Sequence, residues 1–490
     1  MGASDVDTAG GTADQGGLAS YFGFAERGTD LWTELIAGVT TFLAMSYIIV
    51  VNPLILSQAI TPAGVPEPRV FQMLAVITIA ASVIAMLVMG LYANRPFGLA
   101  PGLGLNAFFV IVVTVLEVPW QAALAAVFVE GLVFIGLTAV GAREYVINLF
   151  PEPVKLAVGS GIGLFLAIIG LGQMHVIVAA EGSGVLLSPV LAQDPVAVLA
   201  VLGILFTFLL YARGVRGAIV VGILATSVAG YVAGNVLGLS PFPGDSLPPG
   251  LNYFAPATLA PGVDSVTYGT AAYDISPILG GFIEGFGMIS DQIPTFALVV
   301  FTFFFVDFFD TAGTLTGLGQ AAGFLDENNE FPDMDKPLMA DAVGTTFGAA
   351  LGTSTITSFI ESSTGIEEGG RTGLTALVCA ALFLLALAVV PLVGAIPSFA
   401  PYVAFLVVAV FMLRNVVDIQ WDDPSHAVPA GLTIAAMPLT ASIAAGIAAG
   451  ILSYPLVKAV RGEWRDVHAG QWVLAGLVVV YYFVRTNTLA

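Results

Sequence analysis

From Leu35 to Val484 the chain alternates long apolar runs with short polar breaks. Runs of about 17–25 apolar residues are long enough to cross a bilayer as helices. The pattern predicts a first set of spans at Thr33–Val51 (ended by Asn52-Pro53), Val70–Tyr92, Gly98–Leu116, Trp120–Val140, Val154–Gln173, Ala197–Tyr211 and Gly217–Leu237. A second set follows at Pro294–Thr314, Pro337–Gly352, Thr353–Gly365, Thr372–Val390 and Pro397–Leu413. Val428–Val457 is split at Pro438 into two short spans, which brings the total to about 14. Trp472–Val484 is then an extra C-terminal segment lying in the interface.

Two segments break the helical pattern, and they occupy the third position of each half. Gly98–Ala107 is too rich in Gly and Pro for a plain helix, and Thr353–Ile360 has the β-branched alternation of a short strand. Non-helical backbone at membrane depth is tolerated only where protein or a watery cavity covers it. Because each half holds an odd number of spans, the halves are inverted relative to one another. Paired broken segments in inverted halves are a sequence pointer to a transport site. The expected fold is therefore an all-α polytopic membrane protein, built as a seven-plus-seven inverted repeat whose third and tenth spans are broken by short strands. Residues 1–28 read as an acidic disordered tail, 29–237 as the first repeat, 238–293 as an external loop, 294–460 as the second repeat and 461–490 as a C-terminal segment.

Composition agrees with a membrane protein and adds an orientation. Of the 490 residues 57% are hydrophobic and 10% charged, against roughly 25% charged in soluble domains. Arg95, Arg143, Lys155, Arg213, Arg216, Lys336, Arg371 and Arg414 fall on one side if the first span runs outward from the cytoplasm. The positive-inside rule makes that side, and the N-terminus, cytoplasmic. A plasma-membrane location follows as the expectation. The net charge of −20 argues against nucleic acid as a partner. The single cysteine, Cys379, lies in an apolar run and reads as a small buried hydrophobe, so no intrachain disulfide is expected. No cofactor or metal is expected.

The chemistry lies in acids placed inside apolar runs. Asp307 and Asp310 interrupt a Phe-rich segment, three residues apart and on one helix face. Glu361 follows the predicted strand, Glu130 sits mid-span, and Asp341 lies in another span. Carboxylates inside a membrane are costly and functional by default, and all 14 Lys and Arg lie at span ends or in loops. Each acid also has a structural reading. Asp310 could cap a helix beside Thr311, Asp307 could orient its neighbours, and Glu130 and Asp341 could join helices through a buried polar network. Asn106 could cap the broken third span. The Gly159–Gly163 run begins a span and reads as helix packing, not as a nucleotide loop. His175, His426 and His468 lie outside the apolar cores, which argues against a histidine relay.

Three separated motifs carry a resemblance to a known family: Gly102–Phe109, Phe305–Thr314, and Gly352–Thr355 with Glu361-Ser362 and Glu367–Thr375. With the opening Thr33–Tyr47, they resemble the AzgA-type purine permeases, the adenine/guanine/hypoxanthine branch of the nucleobase–cation symporters. The likeness runs from about Gly23 to Lys458. It implies a core domain (29–150 plus 294–392) and a gate domain (151–237 plus 393–460). It also implies import of purine bases by alternating access. Substrate would be bound by Asn106, Ala107, Phe108, Asp307, Asp310, Thr311, Thr353, Ser354, Thr355 and Glu361. Asp307, Asp310, Glu361 and Glu130 would carry the coupling cation, H⁺ ahead of Na⁺, since an isolated anion at that depth is relieved when cation and purine arrive together. A homodimer through the gate is a further expectation. Two other readings stay open. The first is a transporter of the same fold for pyrimidine bases or another small substrate. The second is an intramembrane aspartyl protease, although its acids would normally come from different helices.

Overall fold

The computed structural model describes residues 17–141, 150–182, 184–260, 269–289, 293–324, 326, 331–440 and 442–488. The first part of the predicted tail, Arg143, and parts of the predicted external loop lie outside them. The described helices are α1 (Gly17–Phe22), α2 (Phe24–Arg27), α3 (Leu31–Met45), α4 (Ile48–Leu56), α5 (Glu67–Val88), α6 (Leu103–Thr114), α7 (Trp120–Ala139), α8 (Glu152–Gln173), α9 (Pro195–Ala212) and α10 (Ala218–Tyr231). They continue with α11 (Gly281–Gly287), α12 (Ile293–Ala322), α13 (Asp335–Leu351), α14 (Ser362–Glu367), α15 (Gly373–Ala386), α16 (Val390–Val393), α17 (Val403–Met412), α18 (Pro424–Leu439), α19 (Ile443–Val460) and α20 (Ala469–Thr488). Among the described residues, 10 helical stretches are long and apolar enough to cross a membrane.

Two sequence expectations need correction. The predicted tail is not structureless throughout: residues 17–27 form α1 and α2, because Phe22 and Phe24 are buried. Arg27 ties this corner down by donating to the carbonyls of Asn94 and Arg371. The first span does not stop at Asn52-Pro53, since α4 runs on to Leu56. Its Asn52 amide donates to Thr78 Oγ1 at 2.7 Å and Thr353 Oγ1 at 3.0 Å, anchoring the helix that holds Pro53. The predicted external loop contains ordered structure: β4 (Leu251–Asn252) pairs with β2 (Ile177–Ala180), which also pairs with β3 (Gly184–Leu187).

At the centre, β1 (Leu99–Pro101) and β5 (Ile356–Ser358) pair antiparallel, with Ala100 opposite Thr357. The pairing satisfies backbone groups that a broken helix would otherwise leave bare in an apolar medium. It is extended by Phe359 N–H to Gly98 O and Gly102 N–H to Thr355 O, each at 3.0 Å. Gly352, at φ +109°, turns the end of α13 into β5, a conformation that side chains resist.

The third sequence motif is a helix-capping device. Buried Glu34 of α3 accepts from the N–H groups of Arg371 (2.9 Å), Thr372 (3.2 Å) and Thr375 (3.2 Å), and from Thr375 Oγ1 (2.6 Å). A carboxylate at a helix N-terminus meets both the orphan N–H groups and the positive end of the dipole. Gly373 then packs onto Gly90 so closely that an added Cβ would lie 2.0 Å from its carbonyl oxygen.

Candidate functional site

A cavity of about 180 Å³ lies beside the strand pair. One wall is the N-terminus of α6, at Gly102, Leu103 and Gly104. The first N–H groups of a helix have no intrahelical acceptor, so this wall offers hydrogen-bond donors. The floor is one face of α12: Asp310, Gly313, Thr314 and Gly317 recur at helical spacing. The two glycines keep that face low, and a Cβ at Gly313 would meet nothing within 4 Å. Thr357 to Glu361 form a third side, with Tyr47 beside them. Gly159 of α8 and Val408, Phe411 and Met412 of α17 close the cavity from across.

Two carboxyl groups face this space. Glu361 accepts from the Tyr47 hydroxyl through Oε1 at 2.6 Å. Among the described residues, Asp310 receives no hydrogen bond. Asp310 therefore stands as an acceptor open to a ligand, and Glu361 is an acceptor oriented by a tyrosine. A second cavity, of about 390 Å³, shares Ile360, Glu361 and Phe411 with the first and continues past Arg216, Glu368 and Arg414. The site thus opens toward the face that carries the predicted cytoplasmic bases.

Behind the strand pair lies a second polar layer, fully buried. Thr311 Oγ1 donates to Asp341 Oδ2 and lies 2.8 Å from Thr357 Oγ1. Ser358 donates to Asp341 Oδ1 at 3.0 Å. Glu130 of α7 faces Asp307 and Thr355. Among the described residues, no group of three His, Cys, Asp or Glu side chains is placed to hold a metal ion.

The sequence-predicted residues divide between these places. Asp310 and Glu361 line the cavity. Asp307 and Thr311 do not, for they point into the layer behind β5. Asn106 accepts from the Ser354 hydroxyl, and Thr353 accepts from Asn52, so all three brace the broken segments. Thr355 joins the pairing through its carbonyl and turns its side chain to Glu130. Ala107 is buried, and Phe108 packs edge-on against Phe303 at 4.7 Å, in the core and not against the cavity. Tyr47, Gly313, Thr314, Gly317 and Ser358 were missed. Gly313, Thr314 and Gly317 could have been found by continuing the helical face from Asp310, whereas nothing local marks Tyr47, 314 residues from its partner.

A helical membrane fold in which two broken segments meet at a small polar cavity, with an opening to one face, defines a multi-pass membrane transporter. A family model described as Permease family (Xan_ur_permease) matches residues 33–449. The chain is 38% identical to "Guanine/hypoxanthine permease PbuO" of Bacillus subtilis, covering 94% of this chain and 100% of that one. It is 35% identical to "Adenine permease AdeQ" of Escherichia coli (95% and 96% covered) and 42% identical to "Putative permease MJ0326" of Methanocaldococcus jannaschii (95% and 97%). Among solved structures it is similar to the transmembrane domain of a cyanobacterium bicarbonate transporter, BicA (TM-score 0.53, 15% identity, 86% and 97% covered). It is also similar to SLC26A9 (TM-score 0.57, 12% identity, 88% and 66% covered), and both likenesses concern the fold. The chain belongs to the Xan_ur_permease family of permeases.

Proposed function

We propose that this permease imports purine nucleobases (hypoxanthine, adenine or guanine) across the plasma membrane by proton-coupled alternating access. The observation that carries the reading is the pair of cavity carboxyls facing a helix N-terminus. A purine presents N–H groups and ring or exocyclic acceptors on one flat apolar body. Asp310 and Glu361 would accept from its N–H groups, the first N–H groups of α6 would donate to its acceptors, and Phe359, Phe411 and Met412 would cover its faces. The purine names of the relatives that match nearly end to end support the same substrate class.

The cavity has the core segments on one side and α8 and α17 on the other, which supports a core (29–150 plus 294–392) moving against a gate (151–237 plus 393–460). The opening past Arg216 and Arg414 supports a cytoplasm-facing state with a cytoplasmic N-terminus. H⁺ rather than Na⁺ is the coupling ion in this reading, because a proton neutralises a membrane carboxylate that has no Lys or Arg beside it at that depth. A homodimer through the gate accompanies it. The test is uptake of radiolabelled hypoxanthine, adenine and guanine in cells lacking their own purine carriers, with and without a proton ionophore, and with uracil as competitor. Saturable purine uptake that the ionophore abolishes is expected. No purine uptake by correctly inserted protein, or displacement by uracil alone, refutes the reading.

A further inference from the structure

We propose that the transported proton is held between Glu130 and Asp307, behind the strand pair and out of contact with the base. This rests on the proton-coupled reading above and assigns the place of the proton. Glu130 of α7 and Asp307 of α12 come from different halves of the chain, and both are fully buried. Their carboxyls adjoin, and neither oxygen of Glu130 nor Oδ2 of Asp307 has a partner of good hydrogen-bond geometry, the hydroxyl nearest Glu130 being that of Thr355. Thr355 Oγ1 is also fully buried and unpartnered, and it points at Glu130. Two carboxylates in contact, with no base and only the hydroxyls of Thr355 and Thr311 beside them, repel one another in a medium that screens little. One proton shared between them removes both the repulsion and the unpaired oxygens, and a like-charged carboxyl pair holds such a proton by that cause.

The titratable groups that face the pair are all acids. The charge of Asp341 reaches both members, and that of Asp310 reaches Asp307. The bases on the helices packed against α12, Lys155 of α8 and Lys336 of α13, sit in the first turns of those helices. The pair communicates with the cavity through hydroxyls. Thr311 lies 3.4 Å from Asp307 Oδ1 and also contacts Asp341 and Thr357, while Ser358 bonds Asp341. Thr357 and Ser358 line the cavity themselves. A base that draws on those hydroxyls changes the donors available to Asp341 and Asp307, and so the hold on the proton. The step is a transfer of one proton on and off the pair, which carries one negative charge when loaded and two when empty.

The experiment uses the full-length protein in proteoliposomes, comparing wild type with Glu130→Gln. The glutamine amide supplies the missing hydrogen permanently and has the shape of the protonated acid. Wild type should accumulate hypoxanthine up to about 10-fold for each unit of imposed pH gradient, the limit for one proton per base. Glu130→Gln should still exchange internal for external hypoxanthine but accumulate none. Gradient-driven accumulation by Glu130→Gln overturns the proposal. An infrared spectrum of the purine-free protein at neutral pH supplies a readout independent of transport. Wild type should show the C=O stretch of a protonated buried carboxyl, and Glu130→Gln should lose it. Absence of that band in wild type overturns the proposal, even if Glu130→Gln fails to fold. Should wild type show the band but move no purine, the transport reading fails while the shared proton stands.

Discussion

Asp310→Ala separates binding from folding more cleanly than any other substitution in the cavity. Among the described residues Asp310 receives no hydrogen bond, so truncating it removes no protein contact of that kind. It also shares the cavity with Glu361, another acid, so its removal relieves like-charge repulsion. Thermal stability should therefore stay level or rise. In the complex, a base N–H donating to this carboxylate makes a charged hydrogen bond contributing about 1.5–3 kcal/mol. Its loss weakens binding roughly 10- to 150-fold, at about 1.4 kcal/mol per tenfold. The contrast is Asp341→Ala, which strands the hydroxyl of Ser358 in the interior and leaves Thr311 with Thr357 and Asp307 as partners. At about 1–3 kcal/mol for a buried group left unpaired, that variant should lose about 1–3 kcal/mol of stability. The assay is hypoxanthine binding to purified protein alongside its thermal midpoint in detergent. Binding by Asp310→Ala within twofold of wild type refutes the reasoning. So does a fall in midpoint as large as that of Asp341→Ala.

Glu34→Gln should lower the unfolding midpoint by the equivalent of at least about 2 kcal/mol, because the charged cap on α15 accepts several N–H groups at once. A wild-type midpoint in detergent would count against that role. Gly313→Leu should fold normally and abolish uptake, since the new side chain projects into open space on the floor of the roughly 180 Å³ cavity. Retained uptake would show that the base sits elsewhere. Gly373→Ala should fail to accumulate in the membrane, because its Cβ would lie 2.0 Å from the Gly90 carbonyl oxygen, a backbone atom that cannot swing aside as a side chain does. Outside the spans, the Ser425 amide and hydroxyl hold Asp423 down at about 2. A carboxyl depressed in the folded state contributes stability above the ordinary carboxylate range and loses it as pH falls toward about 2. Asp423→Asn should flatten the acid limb of a stability–pH profile, and an unchanged limb would discount the cap.

The class of protein was legible along the chain, because apolar runs of bilayer length must satisfy their backbones internally, as spanning helices do. The two broken segments were legible too, since Gly, Pro and β-branched residues act on the local backbone: Leu99–Pro101 and Ile356–Ser358 are indeed extended. The acids were visible because a charge in an apolar run stands out whatever surrounds it. Packing of the two halves, by contrast, sets which side of the strand pair each polar group serves. Asp307 and Asp310 share a helix face, but the edge of the cavity falls between them, leaving Asp310 in the open and Asp307 against Glu130. Asn106 and Ser354 look like ligand groups in sequence and bond one another in the fold. Tyr47 and Glu34 act on partners more than 300 residues away, through hydrogen bonds that exist only once the two halves have packed. A span's composition is a local property and can be read along the chain. The direction of a side chain within it is fixed by the neighbours that close around it.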